Sequence, residues 1–184
     1  MLVEHKNEKL INAIIYFVQN TKFCGKTKLF KLLYFMDFEH YSQTGRSVTG
    51  LDYFAWPMGP VPTELFNEFN QPTEKTTNSL SISKKGTPNG NEMLNIKPLM
   101  EFSSDYFSKR ELKLLKQLCS EYHNSVANDM IEATHLENQP WHEIYEVKGL
   151  KQENIPYELS LKKAEYEQII KNVIENEEFE GNYK

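Results

Sequence analysis

The chain has 184 residues, of which 39% are apolar and 26% charged. That is enough for one domain able to bury a core without disulfides or metals. Its longest apolar runs, Ile14 to Val18 and Leu32 to Met36, fall far short of the ~20 residues of a bilayer span, and Glu4, Asn7 and Glu8 break any leader, so neither is expected. With a net charge of -5, only Arg46 and Arg110 as arginines among 21 basic residues, and no basic stripe along the chain, direct nucleic-acid binding is disfavoured and a basic partner fits better.

The first predicted helix covers Lys9 to Asn20, where Leu10, Ile11, Ile14, Ile15 and Val18 recur at three- and four-residue spacing. A second runs from Lys26 to Tyr41, apolar around most of its middle and therefore central, with Gly45 closing it. From Gly50, alternation through Leu51, Tyr53 and Ala55 predicts a strand. Pro57, Gly59, Pro60 and Pro62 are expected to forbid regular pairing and to end it in a constrained turn. A short helix is predicted from Pro62 or Thr63 to Phe69, and Gln71 to Asn78 reads as a polar loop. Ser79 to Ser83 and Met93 to Ile96 alternate with period two around a Gly/Pro/Asn-rich tip, Lys84 to Asn91. They predict a hairpin that joins the Gly50 strand in one small antiparallel sheet.

The second half is predicted helical. Ser108 and Glu111 form a capping box for a helix to His123, with Leu112, Leu115, Cys119 and Tyr122 inward. Asn124 or Ser125 caps the next helix, whose stripe is Val126, Met130, Ile131 and Thr134, and Trp141 opens a short helix after Pro140. A last helix is expected from Leu161 to Glu175, turning Tyr166, Ile169, Ile170, Val173 and Ile174 inward, before a frayed acidic tail at 176–184. The fold expected is α+β and mainly α-helical, a single compact domain over 1–184 with its core at 9–175. It should hold about six to seven helices and a small antiparallel sheet or hairpin.

Candidate chemistry is sparse. Gly25-Lys26-Thr27 resembles the end of a phosphate loop, but Asn20 stands where that motif needs glycine, and a helix precedes it. His5, His40, His123, His135 and His142 form no zinc motif, and no metal or organic cofactor is expected. His135 continues the apolar face of Ile131, with Glu132 one turn before it, and reads as a buried structural histidine or a functional contact. Lys22 and Lys26 flank Cys24 and would lower its pKa, yet no base accompanies it; Cys24 and Cys119, as the only cysteines, suit a reduced cytoplasmic protein. Asp37, Glu39 and His40 span different helix faces and read as solvated or capping. Trp56 and Trp141 serve core or interface, each needing a partner for its indole N–H.

Several of these residues stand in a suggestive order. Lys28-Leu29-Phe30-Lys31-Leu32-Leu33-Tyr34-Phe35 precedes Thr44-Gly45-Arg46, then Phe54-Ala55-Trp56-Pro57-Met58-Gly59-Pro60-Val61, and later Thr134-His135 and Pro140-Trp141. In this order and at these distances the chain is similar to the Panacea domain family, SocA-like antitoxins also met as phage-associated GepA-like proteins. The resemblance covers Lys9 to Lys148 and is strongest over Lys26 to Leu65; the chain departs from it at Pro57-Met58, where many members carry a small or aromatic residue. It implies a non-enzymatic antitoxin that neutralises a cognate toxin protein by direct binding or by delivering it to a protease. It also implies that Lys28, Leu32, Leu33, Tyr34, Gly45, Arg46, Ala55, Val61, His135 and Trp141 are structural motif positions.

The residues add a binding face to that role. A glycine–proline turn has little entropy to lose, so Tyr53, Trp56, Met58, Gly59 and Pro60 form the candidate partner-binding face, with the Lys84 to Asn91 tip as a second. Two other classes stay open: a small hydrolase or ligand-binding enzyme using His135 in a cleft beside the Trp56 turn, and a transcriptional autoregulator.

Overall fold

A computed structural model describes residues 2–86, 90, 92–137 and 139–161, with the backbone alone for 2–5. The helix predicted to follow Leu161 and the acidic tail lie outside the described residues. Helix α1 (Leu2–Asn20) begins seven residues earlier than the sequence pattern suggests and buries Ile11, Ile14, Ile15 and Phe17. Helix α2 (Lys26–Thr44) is the axis of the molecule: Leu29, Phe30, Leu32, Leu33, Tyr34 and Met36 are all buried, so apolar side chains leave it in several directions. It stops where Gly45 turns left-handed at φ 72° and returns its N–H to the Tyr41 carbonyl, a backbone that glycine adopts without penalty.

The stretch after Gly50 corrects the expectation of an unpaired turn. Strand β1 (Tyr53–Trp56) pairs antiparallel with β2 (Gly59–Pro62) across a two-residue turn, with Ala55 opposite Pro60 and Tyr53 opposite Pro62. In an antiparallel ladder alternate residues point their polar groups away from a given partner. Ala55 and Tyr53 do so: Ala55 N–H donates to the Glu153 carbonyl at 2.9 Å, and the Ala55 and Tyr53 carbonyls accept from Gln152 and Ile155 at 2.8 Å. Pro60 and Pro62 therefore sit where no inward N–H is required, and the prolines fit the strand rather than breaking it.

Helix α3 (Thr63–Asn70) follows directly, and the expected loop after it contains a further helix, α4 (Glu74–Ser79). Glu68 holds its start by accepting from the Thr73 N–H and hydroxyl, each at 2.7 Å, while Thr76 and Ser79 are buried. Polar residues satisfied this way leave no apolar period to read. Strands β3 (Leu80–Gly86) and β4 (Glu92–Pro98) form the predicted hairpin, in register Ile82 opposite Ile96. They do not join β1: the described residues hold two separate two-stranded sheets. One edge of β1 is taken by β2 and the other by residues 152–155, which leaves β3 nowhere to pair.

Helix α5 (Lys109–Glu121) has the predicted capping box, the Ser108 hydroxyl accepting from Glu111 N–H and the Glu111 carboxylate from Ser108 N–H. Its buried face is Leu114, Leu115, Leu118 and Cys119, rotated from the predicted one, so Leu112 and Tyr122 are only half-buried. Glu111 also accepts from Lys9 of α1 at 2.8 Å. Burial raises its pKa, but the Lys9 and Ser108 bonds outweigh that and hold it below the usual carboxylate value. Helix α6 (Ala127–Thr134) buries Met130 and Thr134 but exposes Val126, which precedes it. Helix α7 (Pro140–His142) starts at the proline and continues as a π turn over Glu143–Val147. The architecture is a mainly helical α+β fold.

Candidate functional site

The motif positions meet around the β1–β2 turn. Gly59 has φ 91°, and a Cβ there would lie 2.6 Å from Thr134 Oγ1 and 2.8 Å from Lys31 Nζ, so the turn is clamped between α6 and α2. Lys31 is buried in the apolar flank of α2, and its ammonium donates to the Pro60 carbonyl at 2.8 Å. Loss of solvation lowers its pKa to about 7. Trp141 is buried, and its indole N–H donates to the Trp56 carbonyl at 3.0 Å, tying α7 to the last residue of β1.

The ring of His135 stacks on Trp141 at 3.7 Å between centroids and 4° between planes. Tyr145 stacks on Trp141 as well, at 4.7 Å and 14°, and Lys151 Nζ lies 5.4 Å from the Tyr145 ring centre. The π turn that carries Tyr145 begins two residues after Trp141, and such turns often mark sites where a helix is bent to place side chains. His135 Nε2 is buried without a hydrogen-bond partner among the described residues. Burial first, then the positive charge of Lys31, lowers the His135 pKa, with Glu146 pulling the other way. The neutral imidazole is thus favoured here, stacked rather than poised against a carboxylate.

Next to this cluster lies a polar centre that sequence reasoning misplaced. Asp37 is not solvated but wholly buried; it accepts from Val48 N–H at 2.8 Å, Thr49 N–H at 2.7 Å, the Thr49 hydroxyl and the Tyr53 hydroxyl at 2.7 Å. Burial drives its pKa up and those bonds only partly reverse it. The same contact removes Tyr53 from the candidate face, since a fully buried ring anchored to Asp37 presents no surface. Gly59 and Pro60 are buried too. Trp56 is half-buried against Phe66, and Met58 at the turn tip is 62% exposed. Leu136, two residues beyond the Thr134 that meets Gly59, is 60% exposed and was not singled out from the sequence.

The other candidates settle into structural places. Lys28 is buried with its ammonium on the carbonyls of Lys22, Tyr122, His123 and Ser125. Leu32, Leu33, Tyr34, Ala55 and Val61 are core residues, and the Tyr34 hydroxyl is buried beside the Trp141 backbone without completing a hydrogen bond among the described residues. Arg46 follows the Gly45 cap, its N–H donating to the Thr44 hydroxyl and its carbonyl accepting from His40. Lysines do not activate Cys24: burial raises its thiol pKa despite Lys28, and burial raises Cys119 to about 12. Lys26 of the phosphate-loop-like segment lies 4.3 Å over the Phe66 ring. Among the described residues no group of three His, Cys, Asp or Glu is placed to hold a metal, and no helix is long and apolar enough to cross a membrane.

Fold and site together define a mainly helical α+β protein built around one clamped hairpin, with buried side chains that lock elements to each other. The chain belongs to the family of SocA-like antitoxins with a Panacea domain, whose family model matches residues 29–142. That span runs from α2 to α7 and so includes the hairpin, Lys31, Asp37, His135 and Trp141. No curated protein and no solved structure matches the chain.

Proposed function

We propose that this protein neutralises a toxic partner protein by binding it directly in the cytoplasm, without catalysis, through the tip of the β1–β2 hairpin and the adjoining end of α6. Family membership supports the antitoxin role. The observation that carries the choice of face is Met58, a mostly exposed methionine on a turn held by Gly59 between Lys31 and Thr134. An adaptable apolar side chain on a backbone that cannot move loses little entropy on docking. Leu136, two residues past the Thr134 that meets Gly59, is exposed as well, and Trp56, two residues before Met58, is half-buried. A hydrolase reading is weaker because Asp37 already accepts from four donors and the His135 ring lies flat against Trp141.

The test is the double substitution Met58→Asp and Leu136→Asp, both at exposed positions, with circular dichroism and thermal melting to establish folding. Co-expression with the toxic protein encoded beside this one should then become lethal, while the parent chain protects. Full protection by a folded double variant would remove this face and leave the family role in place.

A further inference from the structure

The exposed side of α5 carries Lys109, Arg110, Lys113 and Lys116; between 109 and 117 the only other exposed residue is Gln117. Glu111, the one acid in that stretch, is buried and engaged by Lys9 and Ser108. Leucines separate these cations in sequence, so no basic run is visible there, but helical spacing gathers them into one row and corrects the expectation of no basic stripe. Among the described residues none of the four has a carboxylate within ion-pair distance.

The row works against its own helix. Lys109 and Lys113, Arg110 and Lys113, and Lys113 and Lys116 are like charges at the spacings where helix side chains meet. Lys109 and Arg110 also occupy the first turn, where the helix dipole disfavours cations. Such local violations of helix charge rules are expected at functional sites, and an anionic ligand would relieve this one.

We propose that this row docks an acidic segment of a partner protein. The cations span residues 109–116, about 10 Å along the axis, which carboxylates at the same helical spacing would match. Three of the four are lysines, Asp105 precedes the row and Glu121 follows it, and the chain is negative overall, so a continuous phosphate backbone suits it poorly. The surface is separate from the hairpin tip, and its test does not depend on the toxin.

The full chain is titrated with a synthetic helical peptide bearing glutamates at positions one, five and eight, followed by NMR of the backbone amides. Shifts should concentrate on α5, weaken about tenfold between roughly 50 and 300 mM salt, and vanish in the Lys109→Gln, Lys113→Gln, Lys116→Gln triple variant. Lys113→Gln alone should raise the melting temperature, because it removes like-charge contacts; a fall would overturn the reading of unfavourable charge. Equal binding of a glutamine version of the peptide would also overturn the proposal, as would tighter binding of duplex DNA on α5. So would α5 shifts produced in the full chain merely by changing Glu175, Glu177, Glu178 and Glu180 to glutamine, which would make the chain's own acidic run the occupant.

Discussion

Lys31 sits among leucines and tyrosine with one carbonyl for a partner, and its charge is the costly form. Its folded pKa of about 7 lies below the ordinary 10.5, so between those values the unfolded chain keeps a proton that the folded chain has lost. Stability must then rise with pH across that window, by up to about 1.4 kcal/mol per unit, and level off below pH 7 where both states are charged. His135, the titrating neighbour, is lowered from 6.5 and so acts on the acid side of the window. Urea denaturation of the parent chain and of Lys31→Met from about pH 6.5 to 9.5 checks this, with only the parent gaining from this site. Sequence reading caught Lys31 only as a letter in an apolar run, and it set Asp37 aside as solvated or capping. A charge inside an apolar run was a usable sign in both cases. What could not be read was which backbone groups, some 11 to 29 residues away, would come to meet it.

At the scale of elements, helices with an apolar period or a capping signal were legible, down to the Ser108–Glu111 box. The hairpin was not, because proline usually argues against a strand and only the register shows that Pro60 and Pro62 face away from β1. Helix α4 was missed for lack of any apolar period, and the exposed Leu136 because exposure at a helix end has no sequence signal. Gly59 was marked from the sequence as part of a rigid turn, and its surroundings make it irreplaceable. Gly59→Ala would combine a positive φ with a Cβ 2.6 Å from Thr134 Oγ1 and 2.9 Å from Lys31 Cε. The expected loss is at least about 2 kcal/mol, read as a lower urea midpoint at unchanged slope.

Across the whole molecule, Lys28 acts as a joint. Its ammonium gathers carbonyls from Lys22, in the connection after α1, and from the segment between α5 and α6 onto the start of α2. Lys28→Met keeps most of the stem but leaves those buried acceptors short of a donor; a loss of about 2–4 kcal/mol is expected, seen as a drop in melting temperature. Faster hydrogen exchange should appear first at residues 122–125, where the acceptors lie. The hairpin also limits how any partner can attach. With β1 enclosed on both edges, the remaining edge is that of β2, whose residues are all buried; Pro60 and Pro62 offer no N–H there, and the Pro60 carbonyl is already held by Lys31. A visiting strand would find no ladder to extend at this hairpin, which is closed to recognition by strand addition and to edge-to-edge aggregation. Whatever binds there must read side chains, and exchanging Met58 changes what is read without touching the frame.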